Sequence, residues 1–254
     1  MLITNSVFSA KHDLDYKTPL YLIIFENEPG GYCNHMVAGV DAIESLNFDT
    51  QDGSFNPTNT KTGAISSATA TILSVTDDGT TGILYLTDVV GTFQDNEIIY
   101  ESTYGGELLT NGNFTAWTGD NPDSWTLTAT EDGNNYVTEN PAGQAQIVSD
   151  AVGRTGVYQI IPTVGSFYVY SVDIKTVTSG TIQLTDFGAL IIGGINSTGV
   201  KTGVWQAQGT FFGINDEGTA CDITVDDVSV KQITNAALAN GTLREIYLEG
   251  WKNF

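Results

Sequence analysis

Residues 223–230 have the sequence Ile223-Thr224-Val225-Asp226-Asp227-Val228-Ser229-Val230, and the fold prediction depends on them. Their β-branched side chains favour a strand, in which the residues of one face recur at every second position. Val225 and Val228 are three positions apart, so the alternation breaks at the two aspartates. Because one extra residue in a strand re-aims the following side chain, we predict a β-bulge at Asp226 and Asp227.

The rest of the chain consists of short segments rich in Thr, Val, Ile and Tyr, with turn signals between them. Gly, Asn-Gly or Asp-Gly interrupts these segments roughly every 8–12 residues, a spacing typical of β-sandwiches and barrels. Helical periodicity is almost absent. The strongest turn dipeptides are Asp52-Gly53, Asp78-Gly79, Asn111-Gly112, Asp132-Gly133 and Asn240-Gly241. We therefore predict an all-β fold.

Four stretches follow from this pattern. The first, about 1–62, and the second, a β-meander at 64–104, together make a smaller β-rich base region of residues 1–104, and the third, residues 105–233, is the clearest domain. Residues 234–254 form a C-terminal tail, whose strand at 245–249 is expected to return to the base. In the meander, the strand beginning at Ile83 has apolar side chains on both faces, which favours burial on both sides or contact with a partner subunit.

The charge excludes two kinds of partner. Thirty Asp and Glu residues against nine Lys and Arg residues give a net charge of −21. Nucleic-acid binding needs basic residues that displace counterions, and anionic membranes also attract basic segments, so neither partner is expected. The first 17 residues lack the apolar segment of a secretory signal peptide. Cys33 and Cys221 are far apart in sequence, which leaves two free thiols or one disulfide as alternatives.

Several segments of 105–233 occur in an order that resembles the jelly roll of carbohydrate-binding modules. They are 107–114 (ELLTNGNF), 167–175 (FYVYSVDIK), 204–212 (VWQAQGTFF) and the closing segment 223–230. The resemblance covers about half of the chain. It implies a jelly-roll β-sandwich whose opening and closing segments lie side by side, attached to the smaller β-rich base domain.

The segment 64–104 is similar to Thr- and Gly-rich β-meanders of phage structural proteins. Together the two resemblances imply a non-enzymatic structural component of a phage particle, in the tail, in the neck or as a decoration of the head surface. Such a protein is expected in the virion, released by lysis, as a homo-oligomer in contact with other virion proteins. The alternative is a glycan-binding module for attachment to the host surface.

The resemblance also suggests a structural calcium ion, which in similar domains lies between the first and last strands. Asp226 and Asp227 would supply carboxylate ligands, and Asn113 on the opening strand would supply an amide oxygen. The alternative is that both aspartates are solvated on an edge strand. No other cofactor is expected.

Aromatic residues of 105–233 divide into two groups. Trp125 and Trp205 occupy positions where the resembling domains have core aromatics, which predicts packing between the sheets. Trp117 lies in a polar loop, where it could contact a ligand or a neighbouring subunit or could anchor the loop, and Tyr136 is a weaker candidate for the same role.

Catalytic motifs are absent from the sequence. With only two histidines and no nucleophile, phosphate-loop or zinc-protease motif, we predict that the chain is not an enzyme. Asp77-Asp78-Gly79 lacks the later ligands of a calcium loop, and we predict a hairpin turn there. Asp216-Glu217-Gly218 is predicted to be a solvated turn.

Overall fold

The computed structural model describes residues 43–57 and 59–245, and before them the backbone of two strands at 20–24 and 35–40. All regular elements of these residues are β-strands, which confirms the predicted all-β class. In the same part of the chain, no helix is long and apolar enough to cross a membrane. Cys33 and the predicted strand at 245–249, apart from Glu245, lie outside the described residues.

The strands are short and mostly antiparallel to their neighbours. In chain order they are β1 (Leu20–Ile24), β2 (His35–Val40), β3 (Glu44–Asp52), β4 (Thr60–Gly63), β5 (Thr69–Asp77), β6 (Gly82–Val90), β7 (Ile98–Glu101), β8 (Tyr104–Glu107), β9 (Trp117–Thr118), β10 (Asn121–Pro122), β11 (Thr126–Leu127), β12 (Tyr136–Glu139), β13 (Ala145–Ser149), β14 (Gly156–Ile160), β15 (Phe167–Ser179), β16 (Ile182–Thr185), β17 (Leu190–Ile195), β18 (Gly199–Gln206), β19 (Phe211–Asp216), β20 (Cys221–Ile233), β21 (Ala236–Ala239) and β22 (Arg244–Glu245).

Strands from both ends of the described chain form a closed barrel. Its order is β3-β6-β5-β4-β7-β21, and β21 pairs in turn with β3, so the sheet closes on itself. β22 pairs with the first residues of β3. Closure removes the free edges that would otherwise pair with other chains. The interior contains Leu46, Phe48, Phe55, Ile72, Leu84, Leu86, Phe93 and Ile99.

Strand β6 buries its inner face more deeply than its outer face, on which Thr87 is buried. Leu84 and Leu86 point into the barrel and are buried, whereas Ile83 and Tyr85 on the outer face are only partly buried. The predicted burial on both sides is therefore incomplete, because a small barrel packs most of its side chains on the inner face. Contact of the outer face with a partner subunit stays a prediction.

Residues between β7 and β21 form a two-sheet sandwich. One sheet has the order β12-β13-β20-β15-β18, with β8 beside β20, and the other has the order β11-β14-β19-β16-β17. Apolar residues of both inner faces make one core, which includes Phe114, Trp125, Ile147, Val172, Leu184, Trp205, Phe212, Ile214 and Val225. The predicted sandwich is thus present.

The opening and closing segments of the sandwich lie side by side, as predicted. Glu107 of β8 is paired with Lys231 of β20, and beyond β8 the backbone N–H of Val228 donates to the carbonyl oxygen of Gly112 at 2.8 Å. The bulge at the two aspartates is also confirmed. Two residues of β20 stand opposite one residue of β15 at this point, and Asp227 has a φ of 46°.

A separate apolar cluster joins the barrel to the sandwich. Phe167 of β15, Ile233 at the end of β20 and Ala236 of β21 form its buried centre, with Ile98 and Tyr100 of β7 packed against it. The chain leaves the barrel after β7 and returns in β21, and these two strands are neighbours. The two connections between the barrel and the sandwich therefore lie side by side.

Candidate functional site

Trp125 and Trp205 are core residues, as predicted. Both indoles are buried. The Trp205 ring lies 5.1 Å from that of Tyr168 in its own sheet and 5.7 Å from that of Phe212 in the facing sheet, centroid to centroid. Trp125 stacks on Phe114 at 5.3 Å. Their side chains fill the space between the sheets and are not available to a ligand.

Trp117 is half-buried and held from within the chain. Its indole N–H donates to the carbonyl oxygen of Phe114, its ring lies 6.5 Å from that of Phe114, and the short strand β9 pairs with β10. These contacts anchor the loop. Binding of a ligand or subunit by Trp117 stays a prediction.

Tyr136, the second predicted ligand residue, lines a shallow acidic cleft of about 420 Å³. The other lining residues are Asp120, Glu131, Asp132, Gly133 and Thr138, and Trp117 is not among them. The carboxylates already accept hydrogen bonds within the chain. Asp120 accepts from Thr138 Oγ1 at 2.6 Å and Glu131 from the N–H of Val137 at 2.7 Å. The N–H of Asn134 and the side chain of Asn135 bind Asp132 and lower its pKa.

Three aromatic rings form a cluster on the outer face of the five-stranded sheet. Val157 and Phe212 point into the core, so their strand neighbours Tyr158 and Phe211 point outward. The Phe187 ring packs on both, at 5.4 Å and 5.2 Å. Gly213 makes room for it, because a Cβ at this position would lie 2.8 Å from Phe187 Cε2.

Phe187 is held in an exposed position by a well-bonded loop. Half of its surface is exposed and its φ of 61° is unusual for a bulky residue. Buried Asp186 fixes the loop through the backbone N–H groups of Gly188 and Ala189 at one oxygen and of Gln208 at the other. A strained backbone that the surroundings maintain is often found at a binding site.

Beside Phe187 lies a groove of about 370 Å³. Its lining residues are Arg154, Gln183, Thr185, Phe187, Gly188, Ala189 and Leu190. Arg154 is the one basic side chain among them. The ring of Phe187 and the guanidinium group of Arg154 are therefore available to one ligand, whereas Gln183 is buried at the floor of the groove. The sequence pattern did not indicate this surface, because residues 154, 187 and 211 are brought together only by strand pairing. Gly213 was the one signal in the sequence of a close approach between side chains at this place.

Two of the three predicted calcium residues, Asp226 and Asp227, lie beside a cation that belongs to the protein. Lys175 Nζ lies 2.7 Å from Asp173 Oδ2, 3.3 Å from Asp227 Oδ2 and 3.7 Å from Asp226 Oδ2. Burial raises the pKa of Asp226. Asn113 Oδ1 accepts a hydrogen bond from Thr115. In the described residues, no group of three or more His, Cys, Asp or Glu could hold a metal ion. Calcium binding by Asn113, Asp226 and Asp227 stays a prediction.

The two predicted turns differ. Asp77-Asp78-Gly79 is a hairpin turn, where the N–H groups of Thr81 and Thr80 bind Asp78 and lower its pKa to about 2. In the predicted solvated turn Asp216-Glu217-Gly218, Glu217 and Gly218 are exposed, but the prediction is wrong for Asp216. Asp216 is buried. Its carboxylate accepts hydrogen bonds from the N–H groups of Thr155 at 2.5 Å and Gly218 at 2.7 Å, and the first of these ties the end of β19 to the segment before β14.

Cys221 is a free and buried thiol. Burial raises its pKa to about 12. A thiol of this kind is a poor nucleophile, since only the thiolate reacts readily.

Comparisons with known proteins give little similarity. No family model matches the chain, and no curated protein matches it. Matching solved structures include the enzymatically active domain of tailspike protein 4 from bacteriophage CBA120. That match is 16% identical and covers 50% of this chain and 21% of the other, with a TM-score of 0.32. This chain therefore spans about one fifth of the length of that protein, and the likeness is too slight to support an argument about function.

Proposed function

We propose that the chain is a non-enzymatic structural component of a phage particle, in which the barrel attaches to neighbouring proteins and the sandwich projects. The observation that supports this proposal best is the way in which the sandwich leaves the barrel. Its two connections follow β7 and precede β21, which are paired neighbours. A unit inserted at one point of a closed barrel can project without disturbing the rest of the barrel.

The junction favours a fixed rather than a freely moving projection. Phe167, Ile233 and Ala236 are buried between the two units, and Gln232 Nε2 donates to Asp52 Oδ2 of the barrel at 3.2 Å. The outer face of the barrel, with Ile83 and Tyr85 partly exposed, offers apolar area for contacts between subunits. The resemblances of 64–104 and 105–233 support the phage assignment, and the net charge of −21 suits an outward surface.

Quantitative mass spectrometry of purified particles tests this proposal. We expect the chain in the particles at a fixed copy number, and light scattering of the isolated protein should give a closed homo-oligomer. Absence from particles of a lysate that contains the protein would contradict the structural assignment.

A second candidate function is attachment to a host-surface glycan. The aromatic cluster beside the Arg154 groove favours it, because sugar rings stack on exposed aromatic faces while their hydroxyl groups bind polar side chains. We expect binding on a glycan array, lost in Phe187→Ala. Val200→Ala, which removes an exposed apolar side chain on edge strand β18, should bind as the unmodified chain does. No bound glycan, or equal binding by both variants, would argue against this function.

A further inference from the structure

A lysine is wholly buried in the barrel wall. Lys61 of β4 and Glu101 of β7 are paired neighbours and form an ion pair of 2.9 Å in which both side chains have 0% exposure. Lys and Glu are almost never fully buried unless they are paired, and here each compensates the charge of the other. Replacing a buried ion pair with apolar side chains is often neutral or stabilising. Stability is therefore a weak reason for placing this pair inside the barrel wall.

The carboxylate of Glu101 also binds a carboxamide from the next strand. Because Tyr100 is paired with Ala236, Asn235 stands opposite Glu101 on the other side from Lys61. Asn235 Nδ2 donates to Glu101 Oε2 at 2.9 Å, while the ammonium of Lys61 binds Oε1. The amine of Lys61, the carboxyl group of Glu101 and the carboxamide of Asn235 therefore lie side by side, on β4, on β7 and just before β21.

The carbonyl of the same carboxamide has a hydrogen-bond donor, and its surroundings are closely packed. The backbone N–H of Ser54 donates to Asn235 Oδ1 at 3.3 Å. Gly53 packs directly against this group, since a Cβ there would lie 2.6 Å from Asn235 Oδ1. The N–H is placed to stabilise negative charge that develops on the oxygen during attack at the carbonyl carbon.

We propose that Lys61 and Asn235 form an intramolecular isopeptide bond, with Glu101 transferring the protons. Lys61 first passes a proton to Glu101, and the free amine attacks Cγ of Asn235, whose carbonyl electrons move to Oδ1. Glu101 then protonates Nδ2, the C–N bond to this nitrogen breaks and ammonia leaves. The second proton of Nζ passes to Glu101 and from there to ammonia, which departs as ammonium. Nothing is oxidised or reduced.

Burial favours the first of these steps. It lowers the pKa of Lys61, although the contacts with Glu101 oppose the change. Burial also raises the pKa of Glu101, but hydrogen bonds from Asn235, Asn59 and Lys61 outweigh it and leave the pKa below its ordinary value. The resting pair is thus ionic, and proton transfer within it yields the uncharged amine and acid that the reaction requires.

The bond would fasten the returning chain to the barrel covalently, across β7. It joins β4 to the segment that leads into β21, the strand that completes the barrel after the chain returns from the sandwich. It does not depend on the proposed role in a particle, and its test gives a separate answer.

Intact-mass measurement of the folded full-length protein tests the proposal. We expect the mass to be lower than that of the sequence by one ammonia, and a proteolytic digest should contain a branched peptide that joins Lys61 to Asn235. A full sequence mass would overturn the proposal. So would a loss of ammonia that maps elsewhere, for example to a succinimide at Asn111 or to a bond at Asn59, whose Nδ2 also binds Glu101.

Two variants identify the roles of the residues. Glu101→Gln keeps the size of the side chain but removes the proton carrier, and its mass should equal that of its sequence. Asn235→Asp offers a carboxyl group in place of the carboxamide, so its bond should form with loss of water instead of ammonia. Circular dichroism establishes that each variant is folded, and the wild-type mass and peptide map remain decisive if either variant is not.

Discussion

The carboxylate of Glu107 accepts four hydrogen bonds, which come from both ends of the sandwich. Oε1 accepts from the N–H groups of Leu108, Leu109 and Val230, and Oε2 accepts from the hydroxyl of Ser229. Burial raises the pKa of Glu107, but these hydrogen bonds outweigh it and leave the pKa below its ordinary value of 4.5. One side chain therefore links the opening segment to the closing strand.

We expect Glu107 to make the stability of the sandwich dependent on pH. Since its pKa is lower in the folded state, its contribution is complete above the unfolded value near 4.5 and is lost as the pH falls through the folded value. Because Glu107 is exposed and solvent screens its charge, Glu107→Gln should lower the free energy of unfolding at neutral pH by about 0.5–1 kcal/mol and should weaken its decline in acid. Urea denaturation across this range measures both effects. Glu139→Gln, at a carboxylate with one backbone hydrogen bond to Gly143, is the control, and equal behaviour of the two variants would contradict the prediction.

Lys175 occupies the position between Asp226 and Asp227 that a calcium ion would need. Calcium bound by Asp226 and Asp227 would have to displace its ammonium group, which already forms ion pairs with these carboxylates. We expect added calcium to raise the melting temperature more in Lys175→Met than in the unmodified protein, and a chelator to reverse the rise. A melting temperature that is indifferent to calcium in both proteins would rule out the site.

At the scale of the strands, the contact between the opening segment and β20 requires the backbone at Gly112 to lie very close to the backbone at Val228. The N–H of Val228 reaches the carbonyl oxygen of Gly112, and a Cβ at Gly112 would lie 2.1 Å from the carbonyl oxygen of Val228. This approach coincides with the bulge at Asp226 and Asp227, which brings Val225 and Val228 to the same buried face.

Gly112→Ala should separate these two segments. We expect a loss of about 1–3 kcal/mol in the free energy of unfolding, because the added methyl group has no space. Gly106→Ala is a matched control in the same opening segment, since a Cβ at Gly106 would have no atom within 4 Å. Urea midpoints of the two variants give the comparison, and equal midpoints would show that the approach is not needed.

At the scale of the whole molecule, the barrel and the sandwich share the apolar cluster centred on Phe167. This side chain belongs to the sandwich strand β15 but packs with Ile233, Ala236 and the barrel residues Ile98 and Tyr100. The core of the sandwich, with Phe114, is a separate cluster.

Phe167→Ala should therefore weaken both units together. We expect a loss of about 3–5 kcal/mol and faster hydrogen exchange in β7 and β21 as well as in β15 and β18. Phe114→Ala, which removes a buried ring from the sandwich alone, should increase exchange in the sandwich and leave the barrel strands protected. If Phe167→Ala left exchange in β7 and β21 unchanged, the two units would be independent.

Local pattern predicted those features that neighbouring residues decide. The all-β class, the turn at Asp78 and the bulge at Asp227 follow from side-chain alternation and turn chemistry, whereas the core positions of Trp125 and Trp205 were implied by the resemblance of residues 105–233. The side-by-side position of the opening and closing segments was predicted from the resemblance of residues 107–230 to a jelly roll. Tyr136 lines a cleft and Trp117 does not, and ligand or subunit contact by either residue stays a prediction.

Sequence alone thus determined the strands, several turns and the inward side chains, because these depend on residues a few positions apart. Only the tertiary structure decided the closure of β21 on β3, the burial of Asp216, the rings around Phe187 and the row of Lys61, Glu101 and Asn235. The physical reason is that strand pairing between distant segments has its own choice of partner and register. A strand's own pattern fixes which face is apolar, but it does not specify which distant strand will lie beside it.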